Sequence, residues 1–359
     1  MSRIRSIYNN MVLFVGPSPS TGAHADSAIQ QLQRLQTINY DFNIPRENIV
    51  VMGQLAAIDR VNNESPTVTV DFSYLVTDMA NENKLGFSVN SGVSALSNIL
   101  QKIADDKNYF ILVVGEGEDA VGQSGATGAV VGIGNGFMSS YSTEGSVGSS
   151  PTSTINIEGL NIRGYASGIS GVIPAVNPQD GSQITGYTFS IPTAVSGGST
   201  QATAIKPGDI TVTVENGAGL FVGNVSSLPI QSYNISFDLS RETIQKLGTK
   251  YAFSKEIQFP VDVTVSVEAL MSDVAAGNLA DVLCSTAGYD VTISLRQPVC
   301  TGVGNIAAQY EVRNAKLDSQ SWSTSIGPSQ TVSFNWTAQI SASGDLVNGL
   351  FMSGITGYA

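Results

Sequence analysis

"IQSYNISFDLSRETIQKLG", residues 230–248, restates in register the stretch "LQTINYDFNIPRENIVVMG" at residues 35–53, 195 positions earlier. At that fixed offset, with no gap, Gln36/Gln231, Asn39/Asn234, Phe42/Phe237, Arg46/Arg241, Glu47/Glu242, Ile49/Ile244 and Gly53/Gly248 are identical. The match runs on through Ala57/Ala252, Val68/Val263, Thr69/Thr264, Val70/Val265, Leu75/Leu270 and Asp78/Asp273, so that 13 of the 44 positions from 35 to 78 are shared. Chance agreement at ordinary residue frequencies gives about three. A repeat of this strength sets the architecture before any single motif does. The chain reads as two tandem modules.

Downstream the halves stay parallel with gaps. "LSNILQKIADDKNYFILVV" (96–114) corresponds to "LADVLCSTAGYDVTISL" (279–295), each read as a helix and then a strand. "SYSTEGSVG…TSTINIEGLNI" (140–162) corresponds to "SWSTSIG…TVSFNWTAQI" (321–340), each read as a turn and then a last strand. Upstream, "MVLFVGPSPSTG" pairs loosely with "GLFVGNVSSLP". The expected organisation is a first module over 1–163, a Gly/Ser/Thr/Pro-rich linker or small β insertion over 164–207, and a second module over 208–359. "ITGYTFSIPT" is the one strand expected in the insertion. In the first helix Val93, Leu96, Leu100 and Ile103 fall on one side, as an apolar stripe packed on a sheet requires.

Composition agrees with a strand-rich, turn-rich chain. Apolar residues make up 42% and charged residues 13%, with 37 Gly. Disorder needs low hydrophobicity with high charge and is excluded. The net charge of −12 excludes a protein that grips a phosphate backbone, since that affinity comes from Lys and Arg. Near nucleic acid such a chain works by repulsion. Cys284 and Cys300 are the two cysteines, too few for a disulfide framework or a zinc site, and are read as free thiols in a reducing compartment. The apolar run "MVLFV" ends after five residues at Gly-Pro, shorter than the roughly 7–15 of a signal peptide. No run approaches the roughly 18 apolar residues of a membrane span. The expectation is a soluble product of the cytoplasm, without a cofactor or metal.

The matched strands alternate with period two, the pattern of a sheet with one buried and one wet face. Tyr40, Phe42 and Ile44 are expected inside, Asp41 and Asn43 outside. The polar face continues with Thr69, Asp71 and Ser73, and in the second half with Ser236 and Asp238, then Thr264, Ser266 and Glu268. The last strands add Thr154, Asn156 and Glu158, and Ser333, Asn335 and Thr337. None of these positions holds Lys or Arg. An ordinary solvated face mixes both signs. The face is therefore read either as a plain solvated surface or as one kept free of cations because a polyanion passes over it.

The stretches "LQTINYDFNIPRENIVVMGQLAAIDRV…PTVTVDFSYL", "QSYNISFDLSRETIQKLG…FPVDVTVSVEAL" and "TVSFNWTAQI" resemble the tail tube proteins of bacteriophages. The order of elements and the duplication carry the resemblance, which covers most of the chain apart from 164–207. It implies a mainly β fold of two tandem β-sandwich or half-barrel modules, each with one flanking α-helix, closing into a ring. Stacked rings would form a tube for DNA, and closure would remove unpaired strand edges. The polar positions picked out by the alternation would then line the lumen. If both modules do so, three chains supply six and the ring is a pseudo-hexameric trimer; a homohexamer with one module outside is the alternative. The implied partners are further copies of the chain, a tape-measure protein and viral DNA without specific binding, and sheath, terminator and baseplate proteins. The implied place is the virion tail, after synthesis in the host cytoplasm.

Other signals carry less. "GEGEDAVG" (115–122) and "GIGNGF" (132–137) superficially suggest a phosphate-cradling loop, but Glu116, Glu118 and Asp119 would repel phosphate, and a flexible loop is expected. His24 is read as a surface histidine, nothing resembles G-x-S-x-G, and Asp105-Asp106 read as solvated; no enzyme is indicated. Arg46-Glu47 and Arg241-Glu242 are read either as a turn shared by inheritance or as an ion pair across a subunit boundary. Two further readings compete: a baseplate hub or tail-completion ring, and a tandem β-sandwich surface adhesin.

Overall fold

A computed structural model describes residues 8–18, 29–115, 118–125, 127–166, 171–177, 180–184, 187–196, 204–215, 218–219, 223–225, 228–270, 279, 288–300, 302–323 and 330–356. The fold is mainly β. The first half contains β1 (Met11–Pro17), β2 (Gln30–Gln31), β3 (Leu35–Asn43), β4 (Glu47–Ile49), β5 (Asp59–Val61) and β6 (Thr67–Leu75). Short helices α1 (Ala80–Leu85) and α2 (Ser97–Leu100) follow, then β7 (Asp106–Val113), β8 (Ala129–Ser146), β9 (Thr152–Gly159) and β10 (Asn161–Tyr165). Between the halves lies the two-stranded pair β11 (Gly171–Val172) and β12 (Thr188–Phe189). The second half contains β13 (Ile210–Glu215), the small pair β14 (Ala218–Gly219) and β15 (Gly223–Asn224), β16 (Ile230–Asp238), β17 (Arg241–Ile244) and β18 (Ser254–Ile257). It ends with β19 (Val261–Leu270), β20 (Tyr289–Arg296), β21 (Ile306–Ser323), β22 (Thr331–Ile340) and β23 (Gly349–Gly354).

One antiparallel front sheet runs through both halves in the order β3–β6–β9–β8–β16–β19–β22–β21. Each half supplies four neighbouring strands in the same order, and β8 pairs with β16 at the join. Irregularities fall at matching places: between Leu35 and Thr37 on β3 and between Ile230 and Ser232 on β16, then between Met138 and Ser140 on β8 and between Leu317 and Ser319 on β21. The sheet is not closed into a barrel. Among the described residues β3 pairs only with β6, and the C-terminal part of β21 only with β22.

The 18-residue strands β8 and β21 each belong to two layers. Their N-terminal parts leave the front sheet and join back layers, β1–β7–β8–β10 and β13–β20–β21–β23. The change of layer occurs at Asn135 and Asn314, whose φ values of 52° and 57° lie in the left-handed region that Asn tolerates. The Asn135 amide N–H donates to Asn108 Oδ1 at 3.3 Å, and that of Asn314 to Asp290 Oδ1 at 2.9 Å. A backbone donor released from the ladder, buried at Asn135 and exposed at Asn314, is thus satisfied the same way in both halves.

The main core lies between front and back layers. Val70, Phe72 and Tyr74 of β6 and Val263, Val265 and Val267 of β19 meet Leu13 and Val15 of β1 and Ile293 and Leu295 of β20. A second apolar cluster sits on the far side of the first back layer. There Ile173, Ala175, Phe189 and Ile191, from the segment between the halves, cover Phe14, Phe110 and Val130. The Phe110 and Phe189 rings are 4.6 Å apart. The insertion therefore caps the back layer, and among the described residues its expected strand comprises the two residues of β12.

Several expectations are corrected here. "GIGNGF" is not a loop but part of β8. Its alternate glycines admit neighbours too close for a side chain: a Cβ on Gly134 would stand 2.4 Å from the Pro174 carbonyl carbon and the Ala175 nitrogen. The turn expected at 140–148 is the end of the same strand, which runs to Ser146. The strand that pairs with β20 as β1 pairs with β7 is 210–215, not "GLFVGNVSSLP". The chain also carries a strand beyond 331–340, namely β23. The helical stripe is shorter than read. α2 stops at Leu100, Lys102 turns the backbone at φ 60°, and Ile103 is 60% exposed, while Leu96 and Leu100 are buried. The second flanking helix, His24 and Cys284 lie outside the described residues, and Cys300 is exposed.

A buried carboxyl sits where the halves meet. Glu82 of α1 is fully buried, and its Oε1 accepts the Tyr74 hydroxyl at 2.8 Å and those of Tyr141 and Tyr310 at 3.4 Å. The Tyr141 and Tyr310 hydroxyls, one from each half, lie 3.2 Å apart, so the three phenols cluster around one carboxyl oxygen. The other Glu82 oxygen is buried without a partner. Burial raises its pKa from 4.5 to about 7.

Candidate functional site: the polar face of the front sheet

Directly opposed residues in an antiparallel pair share a face. The register therefore fixes where each polar residue points. Asp41 opposes Thr69, Thr69 opposes Glu158, and Asp71 opposes Asn156. In the second half Ser236 opposes Thr264, Thr264 opposes Thr337, and Ser266 opposes Asn335. Asn43, Ser73, Asp238 and Glu268 fall on the same side by alternation. All the residues singled out by alternation thus share one face, because the β8–β16 join keeps the register: Ser142 opposes Ser236 and Glu144 opposes Asn234.

Sequence reasoning missed the two strands that complete this surface. Ser140, Ser142 and Glu144 of β8, and Ser319 and Ser321 of β21, extend it. Ser140, Ser142, Glu144 and Ser321 were hidden in stretches read as turns. Asn39, Asp262 and Asp318 belong to the same side or its border. Across the strands the side chains tie one another down. Thr37 meets Ser73 at 2.7 Å, Asn39 donates to Asp71 at 2.7 Å, and Ser236 meets Thr264 at 2.9 Å. Asn156 donates to Ser140 at 2.7 Å and Asn335 to Ser319 at 2.9 Å, the same bond in each half. Such pairs hold hydroxyls and amides flat against the sheet.

The face carries Asp71 and Glu144 toward its middle, Asp41 on the open edge strand β3, and Asp238, Asp262 and Glu268 on β16 and β19. Among the described residues, cations on this face appear only toward one end. Lys255 of β18, buried, places Nζ 2.7 Å from Glu158 Oε2, and Lys316 stands opposite Thr337. The expectation of a face wholly without cations is corrected to that extent: the β17–β18 hairpin folds back and neutralises Glu158. The carboxylates of the face outnumber these two cations and leave the surface negative.

The hairpins β4–β5 and β17–β18 stand at that end of the sheet and repeat each other. Gly53 and Gly248 turn their tips at φ 94° and 88°. The tips are apolar and open, with Met52, Leu55 and Leu247 fully exposed. Arg241, expected as one of two possibilities to pair across a subunit boundary, is instead held inside its own chain. Its guanidinium contacts Asp105 through Nη2–Oδ1 at 2.5 Å and Nη1–Oδ2 at 2.9 Å, with side-chain exposures of 2% and 5%. It also lies over the Phe137 ring. Asp105 and Asp106 are accordingly buried rather than solvated, Asp106 accepting the Ser18 hydroxyl at 2.8 Å. Glu47 accepts Asn63 at 2.6 Å, and Arg46 and Glu242 are exposed.

No protein-family model matches the chain, and no curated protein sequence matches it. Among the described residues no group of three or more His, Cys, Asp and Glu side chains could hold a metal ion. Among them, too, no helix is long and apolar enough to cross a membrane. What the face can do chemically is present a hydrated, acidic, hydroxyl-rich surface across the whole width of the sheet. Such a surface repels a polyanion at short range without binding it.

Proposed function

We propose that the chain is the structural subunit of a bacteriophage tail tube, its polar front face lining a lumen through which DNA passes. The observation that carries this reading is the continuity of that face. Two four-strand units of the same order, matched in their irregularities, join edge to edge without changing which side is polar. On this reading the halves are a duplicated tube module, and three chains contribute six units to a closed ring. Had one unit served as outer decoration, its outward positions would mix both signs throughout, as solvated faces do, whereas Lys255 and Lys316 stand only toward one end of this face. The lumen then works by geometry and electrostatics. Carboxylates keep the phosphates off the wall, and hydroxyls and amides keep it hydrated, so that DNA is conducted and not held. The exposed apolar hairpin tips suit contact between stacked rings.

Electron microscopy of the purified protein, with light scattering for mass, tests the reading. Hollow tubes or stacks of rings are expected, with three chains per ring. A protein that remains a monomer at every concentration refutes it, and a lone ring that never stacks moves it to a hub or completion role.

A further inference from the structure

We propose that the partner of the open β3 edge is the C-terminal part of β21 from a second copy of this chain, added antiparallel in the register that β8 and β16 adopt inside the chain. The inference rests on the tube reading and specifies its seam. Its ground is positional equivalence. β21 pairs with β22 as β8 pairs with β9, Ser319 opposing Asn335 where Ser140 opposes Asn156, each just after the strand irregularity. β3 pairs with β6 as β16 pairs with β19. The end of β21 therefore stands where the end of β8 stands, and β3 where β16 stands.

Inside the chain those two positions are joined: Ser140 opposes Asp238, Ser142 opposes Ser236 and Thr143 opposes Ile235. Carried over, Ser319 opposes Asn43 of the next copy, Ser321 opposes Asp41, and Trp322 opposes Tyr40. The bond from the Leu239 amide to the Ser139 carbonyl, 2.7 Å, becomes one from the Ile44 amide to the Asp318 carbonyl. No like charges meet, since Asp41 faces a serine.

Burial points the same way. At the internal join Ile235, Phe237 and Leu239 are 0–2% exposed, whereas their counterparts Tyr40, Phe42 and Ile44 are 49%, 56% and 41% exposed. Thr143 is 0% exposed and its counterpart Trp322 53%. The sequence places Tyr40, Phe42 and Ile44 on a core face, and the single chain leaves that face uncovered. An open apolar strand edge is a template for another strand. The two edges differ, so the contact is head to tail, the kind that closes a ring when the rotation allows.

Tyr40→Lys and Trp322→Lys test the seam, both at positions exposed in the single chain. Each variant alone is expected to self-associate at least ~30-fold more weakly than the parent, as loss of an interface hot spot does. Each retains one intact edge, so an equimolar mixture is expected to stop at a dimer. For register, chains with Asp41→Cys are mixed with chains carrying Ser321→Cys, both with their native cysteines replaced by Ser. A disulfide between the two kinds of chain is expected. Rings that form without that disulfide, or that link two Asp41→Cys chains, overturn the edge assignment and leave the tube reading standing. A variant mixture that stays monomeric while the parent forms rings also overturns the seam alone. A parent chain that never associates overturns both.

Discussion

Replacing Glu82 by Gln isolates the effect of one buried carboxyl on stability. Folding carries that group from water, where its pKa is 4.5, to a site that raises it to about 7. Below pH 4.5 the carboxyl is protonated in both states and contributes no pH dependence. Between 4.5 and 7 the unfolded chain ionises first, so stability falls as pH rises, and above 7 the loss is complete. Each pH unit of that window is worth about 1.4 kcal/mol, which gives about 3 kcal/mol in all. Gln keeps the acceptor for the Tyr74 hydroxyl and cannot ionise. Its amide hydrogens, placed where Glu82 Oε2 has no partner, cost a constant ~1–2 kcal/mol. The readout is therefore the pH dependence of the difference. Urea unfolding followed by the fluorescence of buried Trp336 at pH 5, 6, 7 and 8 should show Glu82→Gln gaining about 3 kcal/mol on the parent across the series. Two stability curves that stay parallel from pH 5 to 8 would refute the reasoning, because a carboxyl already ionised or already solvated has nothing to lose.

Asp105→Asn should destabilise the chain by about 3 kcal/mol or more, read from the urea midpoint, because it strands the buried Arg241 guanidinium. Lys102→Ala removes the exposed pair with Glu256 and should cost less than about 1 kcal/mol in the same assay. Asp71→Lys with Glu268→Lys should leave folding within about 0.5–1 kcal/mol of the parent and assembly normal by electron microscopy. The resulting particles should retain DNA at low salt and release it as salt rises, and a phage built on them should eject poorly. Unchanged ejection would count against those residues lining the bore.

What could be read in the sequence followed from how strictly each strand alternates. In "VTVDFSYL" and "VDVTVSVEAL" every second residue is apolar, and the buried and open positions came out as read. Tyr40, Phe42 and Ile44 obey the same rule, yet one chain leaves them open, since alternation reports which face is meant for a core and not whose strand covers it. β8 escaped because Gly132, Gly134 and Gly136 remove the side chains by which a strand is recognised. Their reason is the Pro174–Ala175 backbone pressed against Gly134, a contact distant in sequence. The helical stripe from Val93 to Ile103 was overread, as the four residues of α2 give way to a left-handed turn at Lys102 that no periodicity announces. Arg241 and Asp105 are 136 positions apart, so nothing local marked them as a pair.

The β8–β16 join has a kinetic meaning. In the proposed ring of three, half of the seams lie within a chain and half between chains. A seam within a chain forms at an effective concentration fixed by the tether, of millimolar order for a short flexible one. Only the remaining seams wait on collisions. Assembly of such a ring should therefore rise with about the third power of subunit concentration, where an undivided set of six would demand the sixth, and subunit supply can run lower before rings fail to close.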